Sequence, residues 1–143
     1  MKHSRISIRL LMGMVAAVLC LSLTGCAEQR LHDAVIDVHN LCSTSPYVLD
    51  NGCVVTNVTS DDRIVKFYVK CPDGFFLVDK EQVKTSFLHD FFTSDTKTVE
   101  LYRALCGYDG VIHAECTDMA GLQHDVVILS PSQVKEVCPE LKE

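Results

Sequence analysis

Residues 64–70 read Ile-Val-Lys-Phe-Tyr-Val-Lys, and this heptapeptide decides the class of fold. Apolar side chains fill every second position from Val65 to Val69, and lysine or tyrosine fills the positions between them. A strand of this pattern packs one face against a core and turns the other towards solvent. The stretch therefore predicts a sheet that is covered by helices on one side and open on the other.

A second strand is predicted directly before this one. Residues 53–59 are rich in valine and threonine, and the polar residues 60–63 form a turn. Two registers stay open for the hairpin. A turn at 61–62 places Cys71 on the core face and Cys53 on the other, whereas a loop one residue longer places Cys53 opposite Cys71.

The remaining segments add helices and a second hairpin. We predict helices over 28–42, from Asp79 to Phe92, from Ser94 or Asp95 to Gly107, and over 131–137. We predict a short strand over 75–78 and a hairpin of strands 111–116 and 123–129. This order predicts an α+β fold, with an antiparallel sheet of four or five strands, built from two hairpins, and helices packed on one face.

The start of the chain predicts export. Lys2, Arg5 and Arg9 precede the apolar run 10–23, which is too short to span a membrane comfortably and is typical of a secretory signal peptide. The run ends in Leu23-Thr24-Gly25-Cys26. This tetrapeptide resembles the bacterial lipobox, which implies removal of residues 1–25 and attachment of fatty acyl chains, typically palmitate, to Cys26. Residues 26–143 then form one small domain.

The order of motifs resembles a recurring type of small bacterial envelope lipoprotein of unknown function. The resemblance is carried by the lipobox, by Asn40-Leu41-Cys42 with Pro46 after it, and by the segments 118–121 and 130–134. It implies a helix–hairpin–helix–hairpin domain without a recognised active site. The residues after Cys26 lack an aspartate at the second mature position, which favours the outer membrane, on its periplasmic face.

Six further cysteines follow the lipobox: Cys42, Cys53, Cys71, Cys106, Cys116 and Cys138. An even number of cysteines in an oxidising compartment predicts up to three disulfides, and sequence leaves their connectivity open. We expect at least one bridge between a helix and the sheet. The other interpretation is that several of them are buried free thiols, which are common in protein cores.

Composition excludes several classes of function. All 19 acidic residues follow residue 25, whereas Lys2, Arg5 and Arg9 are three of the 13 basic residues, so the net charge of residues 26–143 is −9. Such a surface disfavours nucleic acid as a partner. The sequence holds no recognisable catalytic motif, and we expect neither an enzyme nor a bound cofactor.

Two groups of residues carry weaker indications of a site. His113, Glu115 and His124 on the last hairpin could approach one metal ion, but the solvent face of a sheet explains them better, and we expect no metal site. The aromatic pairs Phe75-Phe76 and Phe91-Phe92 could expose one ring each to a partner, although core packing is the better account.

These observations favour a membrane-anchored envelope lipoprotein with a non-catalytic binding or structural role, attached through the lipid on Cys26 and in contact with an envelope protein. A periplasmic inhibitor of a hydrolase, such as a lysozyme or a protease, is the alternative. A metal-dependent enzyme is a weaker third hypothesis.

Overall fold

The structure, a computed structural model, describes residues 25–77 and 80–142. The apolar run of the predicted signal peptide and the predicted helix cap at Asp79 lie outside the described residues. Within these residues, no helix combines the length and the apolar character needed to cross a membrane.

Five strands and four α-helices make up the domain, and their order along the chain is as follows. They are α1 (25–44), β1 (Tyr47–Val48), β2 (Val54–Asp61), β3 (Ile64–Cys71), a 3-10 helix (Phe75–Leu77), α2 (Lys80–Phe92), α3 (Thr96–Gly107), β4 (Val111–Asp118), β5 (His124–Leu129), α4 (Pro131–Val137) and a final 3-10 helix (Pro139–Leu141). The predicted α+β class is confirmed.

The sheet has the strand order β1-β2-β3-β4-β5. Both predicted hairpins form antiparallel pairs, β2 with β3 and β4 with β5, and the two-residue strand β1 pairs antiparallel with β2. β3 and β4, in contrast, run parallel, with Ile64 opposite Val111 and Cys71 opposite Asp118. The prediction of antiparallel pairing does not hold for this one pair, because α2 and α3 form the crossover connection that parallel neighbours need.

The first hairpin combines features of both predicted registers. Its turn lies at Asp62-Arg63, and Asp62 adopts a left-handed conformation with a φ of 52°. A bulge then shifts the register between Val55 and Asn57. Because the extra residue moves the preceding part of β2 by one position, Cys53 and Cys71 both face the core and both are fully buried.

The predicted strand over 75–78 is wrong for the residues described, because Phe75–Leu77 form a 3-10 helix. The turn before it explains the difference. Pro72 has no N–H group to continue a ladder, and the Phe75 amide donates to the Pro72 carbonyl at 2.9 Å. The fifth strand is β1 instead.

The core lies between the helices and one face of the sheet. Val65, Phe67 and Val69 are buried as the alternation predicts. They meet the apolar stripe of α1, on which Leu31, Val35, Val38 and Cys42 are buried. Leu41, which the predicted stripe included, is 38 % exposed because it lies at the edge of that stripe.

Two helices begin at the predicted caps. The Ser130 hydroxyl and the Gln133 side chain form a capping box at α4, and Asp95 forms a second one with Thr98 at α3. The Asp95 carboxylate accepts hydrogen bonds from the amides of Lys97 and Thr98 at 2.8 and 3.0 Å. α2 and α3 are consequently two helices rather than one broken helix.

Asp95→Ala is expected to lower the free energy of unfolding by about 1 kcal/mol, because two amide groups lose their acceptor. The variant also loses the 2.7 Å hydrogen bond that the Tyr47 hydroxyl donates to Asp95. Urea denaturation measures the change. Ser94→Ala is the matched control, since the Ser94 hydroxyl bonds the Asp90 carbonyl and caps nothing. A larger loss in that control would contradict the assignment of Asp95 as the cap.

Candidate functional site

One face of the sheet carries no core residues, and we call it the open face. It is formed by the outward side chains of β3, β4 and β5, namely Lys66, Tyr68, Lys70, His113, Glu115, His124, Val126 and Ile128. Strand alternation places these side chains there, since each is the neighbour of a buried residue. Several are apolar, and Tyr68, Val126 and Ile128 are 38 %, 39 % and 54 % exposed.

Strand register arranges the open face in rows. Tyr68 lies beside Glu115, which lies beside Val126, so an aromatic ring and a branched aliphatic side chain flank one carboxylate. The next row places His113 between Lys66 and Ile128. The face is therefore mixed, with apolar side chains at its β5 side and cationic ones on β3.

The charge of this face differs from that of the whole chain. Lys66 and Lys70 contribute two positive charges, whereas Glu115 accepts a hydrogen bond from the His124 imidazole at 2.7 Å. The chain as a whole has a net charge of −6. An acidic protein with a locally basic, partly apolar sheet face has the electrostatic character that attracts an acidic apolar segment.

The residues of the considered metal site lie together only in part. Glu115 and His124 are in contact across the β4–β5 pair, and His124 is an exposed side chain on a flat strand surface. His113 lies two residues from Glu115 and is next to Lys66 and Ile128 instead. This arrangement is the solvent face of a sheet and not a cleft that gathers three ligands.

A different group of potential metal ligands occurs at the end of the chain. Among the described residues, His89, Cys138 and Glu140 place one candidate ligand atom each within 4.8 Å of one another. His89 Nε2 and Glu140 Oε1 are 2.5 Å apart. Burial raises the pKa of the Cys138 thiol to about 12, so this thiol stays protonated at neutral pH. The contact that forms here is the His89–Glu140 pair, which ties α2 to the final 3-10 helix.

The aromatic pairs of the sequence do not form an exposed patch. Phe91 and Phe92 are fully buried, which confirms the core interpretation. Phe75 and Phe76 are partly buried against the core and contact each other edge to face, with ring centroids 5.4 Å apart. The exposed apolar residues are Tyr68, Val126 and Ile128, of which only Tyr68 was identified as outward from the alternation.

A second surface lies between α1 and α3. Small residues form its floor and charged residues its rim, and the space has a volume of about 390 Å³. Its lining residues are Ala27, Arg30, Asp33, Ala34, Asp37, Glu100, Arg103, Ala104 and Gly107. Because Ala27 follows Cys26 directly, this groove lies at the end of the domain that a lipid anchor would hold closest to the membrane.

The cysteines are distributed over the core. Cys26 is exposed on α1, Cys106 is partly buried on α3, and the other five described cysteines are buried. Burial raises the pKa of Cys42 to about 11 and raises the pKa of Cys106, which disfavours either as a nucleophile. Cys53, Cys71 and Cys116 lie together on the core face at one end of β2, β3 and β4.

These features define a small α+β protein with helices on one face of a five-stranded sheet and an unencumbered opposite face. No protein-family model matches the chain, and no curated protein matches its sequence. Similar folds occur among solved structures, and two of them are pilotins of type 2 secretion systems.

The pilotin EpsS from Vibrio vulnificus is 14% identical to this chain, with a TM-score of 0.50 over 77% of this chain and 96% of EpsS. The pilotin AspS from Vibrio cholerae is also 14% identical, with a TM-score of 0.52 over 75% of this chain and 94% of AspS. A Pseudomonas aeruginosa protein described as secreted is 12% identical, with a TM-score of 0.50 over 76% and 96% of the two chains. The chain therefore shares the fold of these proteins.

Proposed function

We propose that this protein is a non-catalytic lipoprotein of the bacterial envelope that binds a protein component of a type 2 secretion system, as a pilotin does. The observation that carries the proposal is the likeness to two pilotins, which extends over nearly their whole length. The lipobox at 23–26 supports it independently, because it predicts the same compartment from sequence.

The anchor and the domain are joined without a linker. Cys26 lies at the start of the described part of α1, and α1 continues to residue 44. Acyl chains on Cys26 would hold the domain directly at the membrane surface, with residues 1–25 removed and 26–143 as one domain. We place the protein at the outer membrane, facing the periplasm.

The open face is the surface that we assign to the partner. It combines exposed apolar side chains with Lys66 and Lys70, so it favours a segment that is apolar and acidic. Apolar anchors near the centre of such a face contribute most of the binding energy, whereas charges at its rim mainly raise the association rate.

Ile128→Asp is expected to weaken binding of the partner at least tenfold, because it places a carboxylate where an apolar side chain meets the partner. The experiment uses the full lipoprotein, extracted from membranes in mild detergent, and measures co-purification of the outer-membrane component of the type 2 secretion system. Ile36→Asp is the matched control, since Ile36 is similarly exposed, at 42 %, but lies on α1.

The two variants separate the function from the surface. If neither the wild-type chain nor Ile36→Asp retains the secretion component, the proposed function is wrong. If Ile36→Asp loses it and Ile128→Asp keeps it, the function stands and the partner binds the helical side instead.

A second candidate function is inhibition of a periplasmic hydrolase, and the loop between β4 and β5 favours it. This loop exposes Met119 and Leu122 at 50 % and 86 %. It is held from below by Asp118, whose carboxylate accepts the Leu122 amide at 2.6 Å. A protruding apolar loop on a fixed base is suited to entering an active site. Inhibition of lysozyme that is lost in Leu122→Asp would support this function over the first.

A further inference from the structure

Three buried cysteines are neighbours at the end of the sheet. Cys53 and Cys71 are fully buried, and Cys116 is 1% exposed. The Cys71 side chain lies within hydrogen-bonding reach of both Cys53 and Cys116, so it is the middle member of the group. Because one sulfur forms one disulfide, at most one bridge can form here, and its position depends on backbone geometry.

Cys53 and Cys71 are directly opposite each other. The register pairs Val55 with Val69 and Val54 with Lys70, and its next step pairs these two cysteines. The Cys53 carbonyl accepts the Leu49 amide at 2.9 Å, and the Cys53 amide donates to the Asn51 side chain at 3.0 Å. Both polar groups of the Cys53 backbone are thus engaged away from β3, and the two cysteines form a non-hydrogen-bonded pair.

That pair has the spacing a disulfide needs. The Cα atoms of a non-hydrogen-bonded antiparallel pair are about 4.5 Å apart, within the range of about 4.4–6.8 Å that disulfides span. Both side chains point to the core face. The bridge therefore requires no movement of either strand.

Cys71 and Cys116 do not have this spacing. The parallel register places Cys71 opposite Asp118 and Cys116 opposite Val69, so the two cysteines are two residues out of step. With strands about 4.8 Å apart and a rise of about 3.3 Å per residue, their Cα atoms are about 8 Å apart. Cysteines more than about 7 Å apart need backbone movement to be bridged. The Cys116 thiol donates instead to the Ala114 carbonyl, at 3.8 Å.

We propose that Cys53 and Cys71 form a disulfide in the exported protein and that Cys116 remains a buried thiol beside it. The two thiols lose two protons and two electrons, and the electrons reduce the disulfide of a thiol–disulfide oxidoreductase to its dithiol. Because both sulfurs are inaccessible in the folded domain, the bond forms while the chain folds. The inference depends on export to an oxidising compartment and not on the partner proposed above.

The acidity of the thiols fits this order of events. The hydrogen bond from Cys71 lowers the pKa of Cys53, and the contacts with Cys116 and Cys53, together with burial, raise the pKa of Cys71. Cys53 is the thiol that ionises first, and the thiolate is the form that attacks a disulfide. Cys53 consequently forms the mixed disulfide, and Cys71 displaces the oxidoreductase.

A single digestion tests the pairing. Cleavage before aspartate places each of the six cysteines on its own fragment: 37–49, 50–60, 62–72, 95–108, 109–117 and 125–143. The chain is purified from membranes, its free thiols are alkylated in denaturant without reductant, and the fragments are identified by mass spectrometry. We expect 50–60 linked to 62–72, with 109–117 alkylated.

Two results would overturn the proposal: 62–72 recovered unlinked, or 62–72 linked to 109–117. Variants of the full chain add a second measurement. In Cys116→Ala the link persists, and reduction lowers the midpoint of thermal unfolding by about 10 °C. In Cys53→Ala the link is absent, and reduction leaves the midpoint unchanged. A fall of the same size in both variants would place the responsible disulfide elsewhere.

Discussion

Phe67→Ala is expected to lower the free energy of unfolding by about 3–5 kcal/mol, because it removes a fully buried ring and leaves a cavity. The Phe67 ring packs edge to face against Phe91 and Phe92, with centroids 5.3 and 6.0 Å away. Phe91 also contacts Tyr47, and Phe92 contacts Tyr102. These rings connect β3, α2 and α3, so one substitution loosens the sheet and two helices together.

Chemical denaturation followed by circular dichroism measures this loss. Tyr68→Ala is the matched control, because Tyr68 is the next residue of β3 and points to the open face. Its expected cost is about 1 kcal/mol or less, since an exposed ring leaves no cavity. Equal losses in the two variants would contradict the assignment of the two faces of β3.

The faces of the sheet could be predicted from sequence because alternation is a local property. Val65, Phe67 and Val69 needed no knowledge of their neighbours to be placed in the core. The caps at Asp95 and Ser130 were identified for the same reason, since a capping box involves residues only three apart.

Other features depend on contacts between distant segments. The parallel pairing of β3 with β4 follows from the path of α2 and α3, which no periodicity encodes. The bulge after Val55 decides whether Cys53 faces the core, and a two-residue strand such as β1 is too short to show a pattern. For this reason, the hairpin registers stayed open before the structure.

The candidate site was predictable to the same limited degree. Strand alternation placed Glu115 and His124 on one face, and the structure brings them together. The apolar part of the open face was not identified, because Val126 and Ile128 lie in a continuous apolar run with Val127 and Leu129. In such a run the exposed residues are decided by what covers the strand and not by its own sequence.

Cys26→Ala is expected to move the protein from the membrane fraction to the unprocessed or soluble fraction. A single acyl chain binds a membrane weakly, whereas two or more, at about 0.8 kcal/mol per buried methylene, give stable attachment. The described helices offer no other means of spanning a membrane. Removal of the Cys26 sulfur should therefore abolish attachment almost completely.

Fractionation and mass spectrometry of the N-terminal fragment measure this outcome. Cys20→Ala is the matched control, because Cys20 lies inside the apolar run and outside the lipobox. It should be processed and lipidated as the wild type is. A Cys26→Ala chain that stays at the membrane with a normal mature N-terminus would show that another part of the protein anchors it. In that case the compartment, and with it the oxidised Cys53–Cys71 pair, would need a different basis.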